Sequence, residues 1–277
     1  MNRLLPSRQV AKPWGRVSLP APFSQPADGQ RVGEIWFEPP AEMPELLVKY
    51  IFTDERLSVQ VHPGDVDVQS AGAGPRGKEE CWLVISAELG AVLGIGFDEA
   101  IDAGQLKAAA LSGEIVDMLT WHPVQSGDFF YIPAGTVHAI GGGISLIEVQ
   151  QNSDLTYRLY DYGRPRELHL EQGVAVAKGT PYDAAWRKRA AIGEAVRMVE
   201  GPHFRLDQLA GPPNAATFAR YGDRPVLVVT RSGSVAVGGV PVAPGACGLF
   251  ASLAELVLGP DACCLVAQSC AATGRPG

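Results

Sequence analysis

The sequence lacks the features that would place the chain in a membrane or on nucleic acid. No uninterrupted apolar run reaches the about 18 residues of a spanning helix, so we expect no membrane span. The N-terminal residues contain no apolar core before a small-residue cleavage site, which predicts no signal peptide and a cytoplasmic location. Positive charge is in deficit, with 23 Lys and Arg against 30 Asp and Glu and a formal net charge of -7. This balance argues against nucleic acid or an anionic membrane as partner, although a few local basic side chains can still hold one phosphate.

Cysteine is scarce, and its pattern carries neither a disulfide nor a metal signal. The chain has five Cys, an odd number, and they form no CxxC pair. Without a secretion signal this predicts reduced thiols, and we expect each to pack in the core. Glycine and proline are abundant by contrast, at 32 and 22 residues. Because turns between short strands use these residues, the composition favours an all-β protein.

Short apolar segments separated by turn residues predict an all-β-dominated fold with two lobes and a few helices. We expect an extended N-terminal segment over residues 1–30 and a first β barrel over residues 31–180. A smaller, degenerate barrel-like β lobe is expected within residues 181–277. The polar, Ala-rich stretch Pro181–Ala191 predicts a helix that connects the lobes.

Two further segments carry local predictions. The clearest helix is Asp98–Leu111, with Asp98 as the expected N-cap. Residues 1–45 are Pro-rich and predict irregular structure, apart from a short strand at Arg31–Phe37.

Polar residues alternate with apolar ones in the segment LSVQVHP, which begins at Leu57. In a strand, alternate residues share a face, so Ser58, Gln60 and His62 point to the same side. Three polar groups beside an apolar face indicate a lined cavity, and the alternative is an edge strand with a solvated face.

A second candidate is the segment GKEECW over residues 77–82, where Lys78 and Glu80 have the same spacing of two. A carboxylate with two nearby nitrogen or oxygen donors can hold a divalent metal. The alternative is a charged turn before a strand.

The most specific local signal is GDFFYIPAGTVH, which runs from Gly127 to His138. Its Gly, Pro, Gly and His match each position of the second cupin motif, and in cupins that His is a metal ligand inside a small β-barrel. Farther along, Glu148 lies in an otherwise apolar strand and Arg158 lies between two Tyr. A charge inside an apolar strand is costly unless it faces a wet or paired site.

Together these segments resemble type I mannose-6-phosphate isomerases of the cupin superfamily, in their short bacterial form. The resemblance covers about residues 12 to 180 and rests on these segments in order: KPWG (12–15), LSVQVHPGD (57–65), GKEECW (77–82), GDFFYIPAGTVHAIGGG (127–143), IEVQQNSDLTYRLYDYGR (147–164) and ELHLEQ (167–172). It implies that residues 31–180 form a catalytic cupin (jelly-roll) barrel. It also implies interconversion of D-mannose 6-phosphate and D-fructose 6-phosphate.

The resemblance implies a site residue by residue. One Zn²⁺ per chain would be held by Gln60, His62, Glu80 and His138. Catalytic roles would fall to Arg158, Glu148 and Lys78, and substrate-binding roles to Ser58, Lys78, Asp154 and Arg158. Two departures from the family pattern are the very short segment between Phe37 and Leu46, which predicts a more open site, and Arg16 in place of a second Gly.

The chemistry of the implied reaction agrees with these residue types. Aldose–ketose isomerisation moves a proton between C1 and C2 through an enediol, which needs an electrophile for the developing oxyanion and a general base. We expect zinc to be the electrophile and Glu148 the base, with a zinc-bound water as the second candidate. Arg158 would stabilise the enediolate or bind substrate, and Lys78 and Ser58 could contact phosphate. The sequence leaves these last roles interchangeable.

Two other functions remain open at this point. The chain could be a non-catalytic, sugar-phosphate-binding cupin, although such a module need not retain an acid–base set. It could also be a metal-dependent cupin enzyme on another substrate, such as an iron oxygenase. Gln60 in place of a His disfavours redox iron.

Overall fold

We describe residues 1–270 of the protein from a computed structural model. The strands are β1 (Arg3–Leu4), β2 (Ser7–Arg16), β3 (Val32–Phe37), β4 (Leu46–Phe52), β5 (Val59–Val61), β6 (Glu80–Ala87), β7 (Val92–Phe97), β8 (Leu119–Pro123), β9 (Asp128–Ile132), β10 (His138–Ile140), β11 (Ile144–Gln151), β12 (Tyr157–Tyr160), β13 (Arg187–Arg189), β14 (Val196–Glu200), β15 (Phe204–Ala210), β16 (Val226–Ser232), β17 (Val235–Val237), β18 (Val240–Pro241), β19 (Cys247–Phe250), β20 (Leu256–Leu258) and β21 (Cys263–Ser269). The helices are α1 (Asp65–Ala71), α2 (Ala103–Ser112), α3 (Ile115–Met118), α4 (Leu170–Val176) and α5 (Ala215–Tyr221). None of these helices is long and apolar enough to cross a bilayer.

Two antiparallel sheets pack face to face and form the first lobe. A seven-stranded sheet, in the order β13-β9-β6-β11-β4-β3-β2, covers a five-stranded sheet in the order β12-β5-β10-β7-β8. Apolar side chains fill the space between them, including Trp82 and Leu146 from the first sheet and Ile95 from the second. Because residues two apart share a face, Glu80 and Glu148 point to the same interior as Trp82 and Leu146. Alternation in the strands therefore places two carboxylates inside the barrel.

The second lobe supports the back of the seven-stranded sheet. Its six-stranded sheet has the order β1-β19-β16-β21-β15-β14, so the N-terminal strand joins the C-terminal lobe. Val48 and Leu83 on the back of the seven-stranded sheet share one core cluster with Phe204, Leu227 and Leu265 of the second lobe. This shared burial stabilises the strands that carry Lys49, Glu80 and Glu148.

Two predicted helix positions are wrong. Helix α2 begins later than expected, because Asp102 is its N-cap. The Asp102 carboxylate accepts from the Gln105 backbone nitrogen at 2.8 Å, and the Gln105 side-chain oxygen accepts from the Asp102 backbone nitrogen at 2.9 Å. Asp98 instead accepts from Thr120 Oγ1 at 2.7 Å.

The connecting helix predicted at Pro181–Ala191 is a 3₁₀ turn, Ala184–Trp186, followed by β13. Pairing of β13 with β9 supplies the backbone hydrogen bonds that a helix would otherwise make.

The N-terminal segment is also more regular than predicted. Strand β2 spans Ser7–Arg16 and forms the edge of the seven-stranded sheet. Most of its side chains are exposed or half-buried, so it shows no alternating pattern. Its Pro13 is tolerated because an edge strand makes backbone hydrogen bonds to only one neighbouring strand. The pairing of β2 with β3 is also irregular between Ala11 and Arg16.

Candidate active site

Three buried side chains, those of His62, Glu80 and His138, converge at one end of the barrel. His62 follows β5, Glu80 begins β6 and His138 begins β10, where it pairs with Gln60 of β5. Glu80 lies between the two rings, with Oε2 3.5 Å from His62 Nε2 and Oε1 3.4 Å from His138 Nε2. Among residues 1–270 this is the one group of three or more His, Cys, Asp or Glu side chains close enough to hold a metal ion.

Backbone carbonyls fix both imidazole rings. His62 Nδ1 donates to the Leu155 carbonyl at 2.8 Å, and His138 Nδ1 donates to the Thr136 carbonyl at 2.9 Å. A carbonyl can only accept, so each Nδ1 carries the proton and each Nε2 turns a lone pair toward Glu80. Burial lowers the pKa of both His62 and His138, which keeps the rings neutral and able to ligate.

The donor set fits a divalent metal. Burial by itself would raise the pKa of Glu80, but the charge of Lys78 and its hydrogen bond to the carboxylate lower that pKa, so the carboxylate is ionised. Its buried Oε1 has no hydrogen-bond partner within the described chain. An ionised oxygen without a donor, facing two imidazole lone pairs, is the arrangement expected of a zinc- or iron-type site.

Gln60, Ser58 and Lys78 adjoin this cluster. Gln60 Nε2 lies 3.2 Å from His138 Nε2, and Gln60 Oε1 accepts from Ser58 Oγ at 3.3 Å. Lys78 Nζ donates to His62 Nε2 at 3.0 Å and also contacts Glu80 Oε2. The structure thus brings these three predicted residues together with the three-residue cluster.

Glu148 is buried and held by two partners from neighbouring strands. Trp82 Nε1 donates to Glu148 Oε1 at 3.1 Å, and Lys49 Nζ forms an ion pair with Oε2 at 3.1 Å. Both partners stand directly opposite Glu148 in the sheet, Lys49 on β4 and Trp82 on β6. Burial tends to lower the pKa of Lys49, but the Glu148 and Glu34 carboxylates outweigh it and raise that pKa. Lys49 is therefore a charged partner for Glu148.

Lys49 was missed by the sequence analysis, although a signal existed. It is the only charged residue in the otherwise apolar strand Leu46–Phe52, and the argument about buried charge applied to Glu148 applies equally to it. Its ammonium also lies 4.6 Å from the centre of the Trp36 ring, and Trp36 Nε1 donates to Glu34 at 2.5 Å. A second layer of contacts thus fixes Lys49 in place.

A cavity of about 380 Å³ lies next to the cluster, because its lining includes Gln60 and Lys78, which contact His138 and His62. This size is usual for small-molecule sites. The predicted site residues that line it are Ser58, Gln60, Lys78, Glu148, Asp154 and Arg158. Lys12, Lys49 and Arg166 also line it, and the sequence analysis assigned no role to them. Arg166 immediately precedes the ELHLEQ segment (167–172), which is part of the family resemblance. That position was the one feature of the sequence that could have marked Arg166 as a site residue.

Comparisons with known proteins support the resemblance seen in the sequence. The chain is 40% identical over 204 residues to a mannose-6-phosphate isomerase from Streptococcus mutans, a match that covers 70% of this chain and 63% of the relative. It is 45% identical over 137 residues to mannose-6-phosphate isomerase ManA from Bacillus subtilis, covering 47% of this chain and 43% of the relative. The chain thus spans less than two thirds of the length of either relative. No protein-family model matches the chain.

The fold agrees with solved structures of proteins with these names. A mannose 6-phosphate isomerase from Bacillus subtilis superposes with a TM-score of 0.76 at 22% identity, covering 96% of this chain and 99% of that one. A variant of phosphomannose isomerase from Salmonella typhimurium superposes with a TM-score of 0.69 at 13% identity, covering 97% and 99%. At such identities the likeness shows the fold alone, and it confirms the predicted cupin fold with a second β lobe.

Proposed function

Since the chain is similar to mannose-6-phosphate isomerases over 70% of its length, we propose that it interconverts D-mannose 6-phosphate and D-fructose 6-phosphate. One observation carries the proposal: the His62–Glu80–His138 cluster and the buried Lys49–Glu148 pair lie beside the same small-molecule cavity. The first suits a metal that polarises an oxygen, and the second suits proton transfer at carbon.

Each polar residue of the cavity has a distinct role in the proposed isomerisation. Glu148 removes the proton from C2 of the aldose and returns it to C1, while a hydroxyl proton passes from O2 to O1. These two transfers convert the aldose into the ketose through the enediol, and the reverse reaction uses the same steps. Trp82 donates to one oxygen of Glu148 and Lys49 forms an ion pair with the other, so the two partners together fix the direction of the carboxylate. Arg158 offsets the negative charge that develops on the sugar oxygens. Asp154, Ser58 and Lys78 bind polar groups of the sugar phosphate.

We propose that one zinc ion per chain is held by Gln60, His62, Glu80 and His138. When bound there, it supplies Lewis-acid stabilisation of an anionic oxygen. With one carboxylate and three neutral ligands the site keeps a formal charge of about +1, so it still attracts oxyanions.

A coupled assay with mannose 6-phosphate on metal-loaded protein tests the proposal. Turnover to fructose 6-phosphate supports it, whereas tight binding of mannose 6-phosphate without turnover would make the chain a sugar-phosphate-binding protein instead. Elemental analysis of the purified protein separates zinc from iron, and stoichiometric iron would favour a different cupin enzyme.

Replacing Arg158 by alanine should lower kcat by about 10²-fold, the scale seen on losing one preorganised electrostatic group. Arg158 stands opposite Gln60 across the β12–β5 pair, lines the cavity, and has a buried Nε without a partner in the described residues. Zinc content, measured by elemental analysis, should stay near wild type because Arg158 is not among the proposed ligands. A rise in KM with kcat unchanged would instead mean that Arg158 binds the substrate and the transition state equally strongly.

Replacing Lys49 by methionine should lower kcat about tenfold, the low end of what one charged hydrogen-bonding partner contributes. Methionine keeps the stem packed against Trp36 and removes only the ammonium. Incorporation of solvent deuterium at C1 or C2 of the sugar should fall by a similar factor, because Lys49 acts through the Glu148 carboxylate that it pairs with. A wild-type kcat in Lys49→Met would mean that Lys49 contributes packing alone.

A further inference from the structure

The guanidinium of Arg166 is held rigidly at the wall of the cavity. Its Nε donates to Asp161 Oδ2 and its Nη2 donates to Asp161 Oδ1, both at 2.6 Å. Asp161 is itself buried, so this two-bond pair fixes the plane of the guanidinium. The remaining nitrogen, Nη1, has no partner within residues 1–270 and is available to a ligand in the cavity that Arg166 lines.

Positive charge is in surplus around this pair. Arg164 Nη2 lies 2.9 Å from the same Asp161 carboxylate, so one acid serves two guanidinium groups. Arg158 lines the same cavity as Arg166 and adds another guanidinium to it. The other nearby acid, Glu167, is largely exposed, and Arg158 bonds its backbone carbonyl rather than its carboxylate. Such a surplus favours an anion.

The two cavity arginines occupy different positions in the fold, one on strand β12 and one after it. Arg158 pairs with Gln60 across neighbouring strands, next to the cluster. Arg166 lies beyond the end of β12, after the turn that holds Asp161. An extended hexose 6-phosphate also has two ends, with the reacting carbons C1 and C2 at one end and the phosphate at the other.

We infer that Arg166, oriented by Asp161, binds the phosphate of the sugar-phosphate substrate. The inference rests on the proposed function and assigns Arg166 to the phosphate end of the substrate. Arg158 acts at the other end, where C1 and C2 react. A guanidinium suits this role because its planar donors match phosphate oxygens. Asp154 also lines the cavity, and its carboxylate suits a sugar hydroxyl rather than phosphate.

The test compares Arg166→Gln with Arg164→Gln. Both arginines bond Asp161, but Arg164 lines a different cavity, with Arg56 and Tyr162. Arg166→Gln should raise KM for mannose 6-phosphate about 10- to 100-fold, the range for one charged hydrogen bond, with kcat within about threefold of wild type. Arg164→Gln should leave both parameters unchanged. Arg166→Lys should recover part of the affinity, since it keeps the charge but loses the fork geometry.

Calorimetry with metal-loaded protein provides a second readout that needs no turnover. Wild type and Arg164→Gln should bind mannose 6-phosphate more tightly than mannose, and Arg166→Gln should lose that preference. An unchanged KM and preference in Arg166→Gln would overturn the inference, as would equal losses in both variants. A wild-type protein that binds mannose 6-phosphate without turning it over would overturn the isomerase proposal alone, and calorimetry of the variants would still decide the role of Arg166.

Discussion

Replacing His138 by alanine is expected to remove the metal and the activity together. His138 is fully buried, its ring is fixed by the Thr136 carbonyl, and its Nε2 faces Glu80. Alanine removes one of three strong donors, and the remaining His62 and Glu80 cannot retain a divalent ion at the usual affinity. Elemental analysis after dialysis should find well under one zinc per chain, and the isomerase assay should fall to background.

Two further variants make this result specific. Glu80→Gln keeps the shape of the side chain and removes its charge, so it should also lose the metal. His122→Ala removes a histidine from β8 of the same five-stranded sheet that lies outside the cluster, and it should retain metal and activity. Full zinc occupancy in His138→Ala would rule out the proposed ligand set, whatever its activity.

The period of two in a strand placed Gln60 and His62 on the same face. The Gly–Pro–Gly–His spacing of the cupin motif singled out His138 as a metal ligand. The local pattern marked Glu80 as a candidate ligand, but only the resemblance joined it to His62 and His138, because its approach to the two rings depends on the packing of the seven-stranded sheet on the five-stranded sheet. Long-range packing of this kind leaves no local pattern in the sequence.

The residues that were missed share one property. Their roles depend on a partner that the local sequence does not reveal. Lys49 pairs with Glu148 on the neighbouring strand, and Arg166 pairs with Asp161 across a turn. Strand β2 escaped prediction for a related reason, since an exposed edge strand owes its structure to pairing with β3 rather than to its own hydrophobic pattern. For Lys49 and β2, the register between strands supplied what composition could not.

The largest catalytic effect with the metal retained is expected from Glu148→Gln. Glutamine keeps the size of the side chain and can still accept from Trp82, but it cannot take up the proton from C1 or C2. A general base contributes about 10²- to 10⁴-fold, so kcat should fall by that range while zinc content stays near one per chain. Incorporation of solvent deuterium at C1 or C2 of the sugar should fall in parallel.

Asp128→Asn is the matched control for Glu148→Gln. Asp128 is also a buried carboxylate of the seven-stranded sheet with a basic partner, Arg189 at 3.0 Å, but it lies outside the cavity. This variant should keep its kcat. If Glu148→Gln exchanged deuterium at the wild-type rate, the base would have to be sought at Lys78 or Asp154.

The double variant Lys49→Met with Glu148→Gln tests whether the pair acts as one unit. Lys49 is proposed to work only through the Glu148 carboxylate, so its removal should cost little once that carboxylate is gone. The kcat of the double variant should therefore lie within about threefold of Glu148→Gln alone, since residues in contact are not additive. A further tenfold loss would show that the Lys49 ammonium acts on the substrate directly, from its position in the cavity wall.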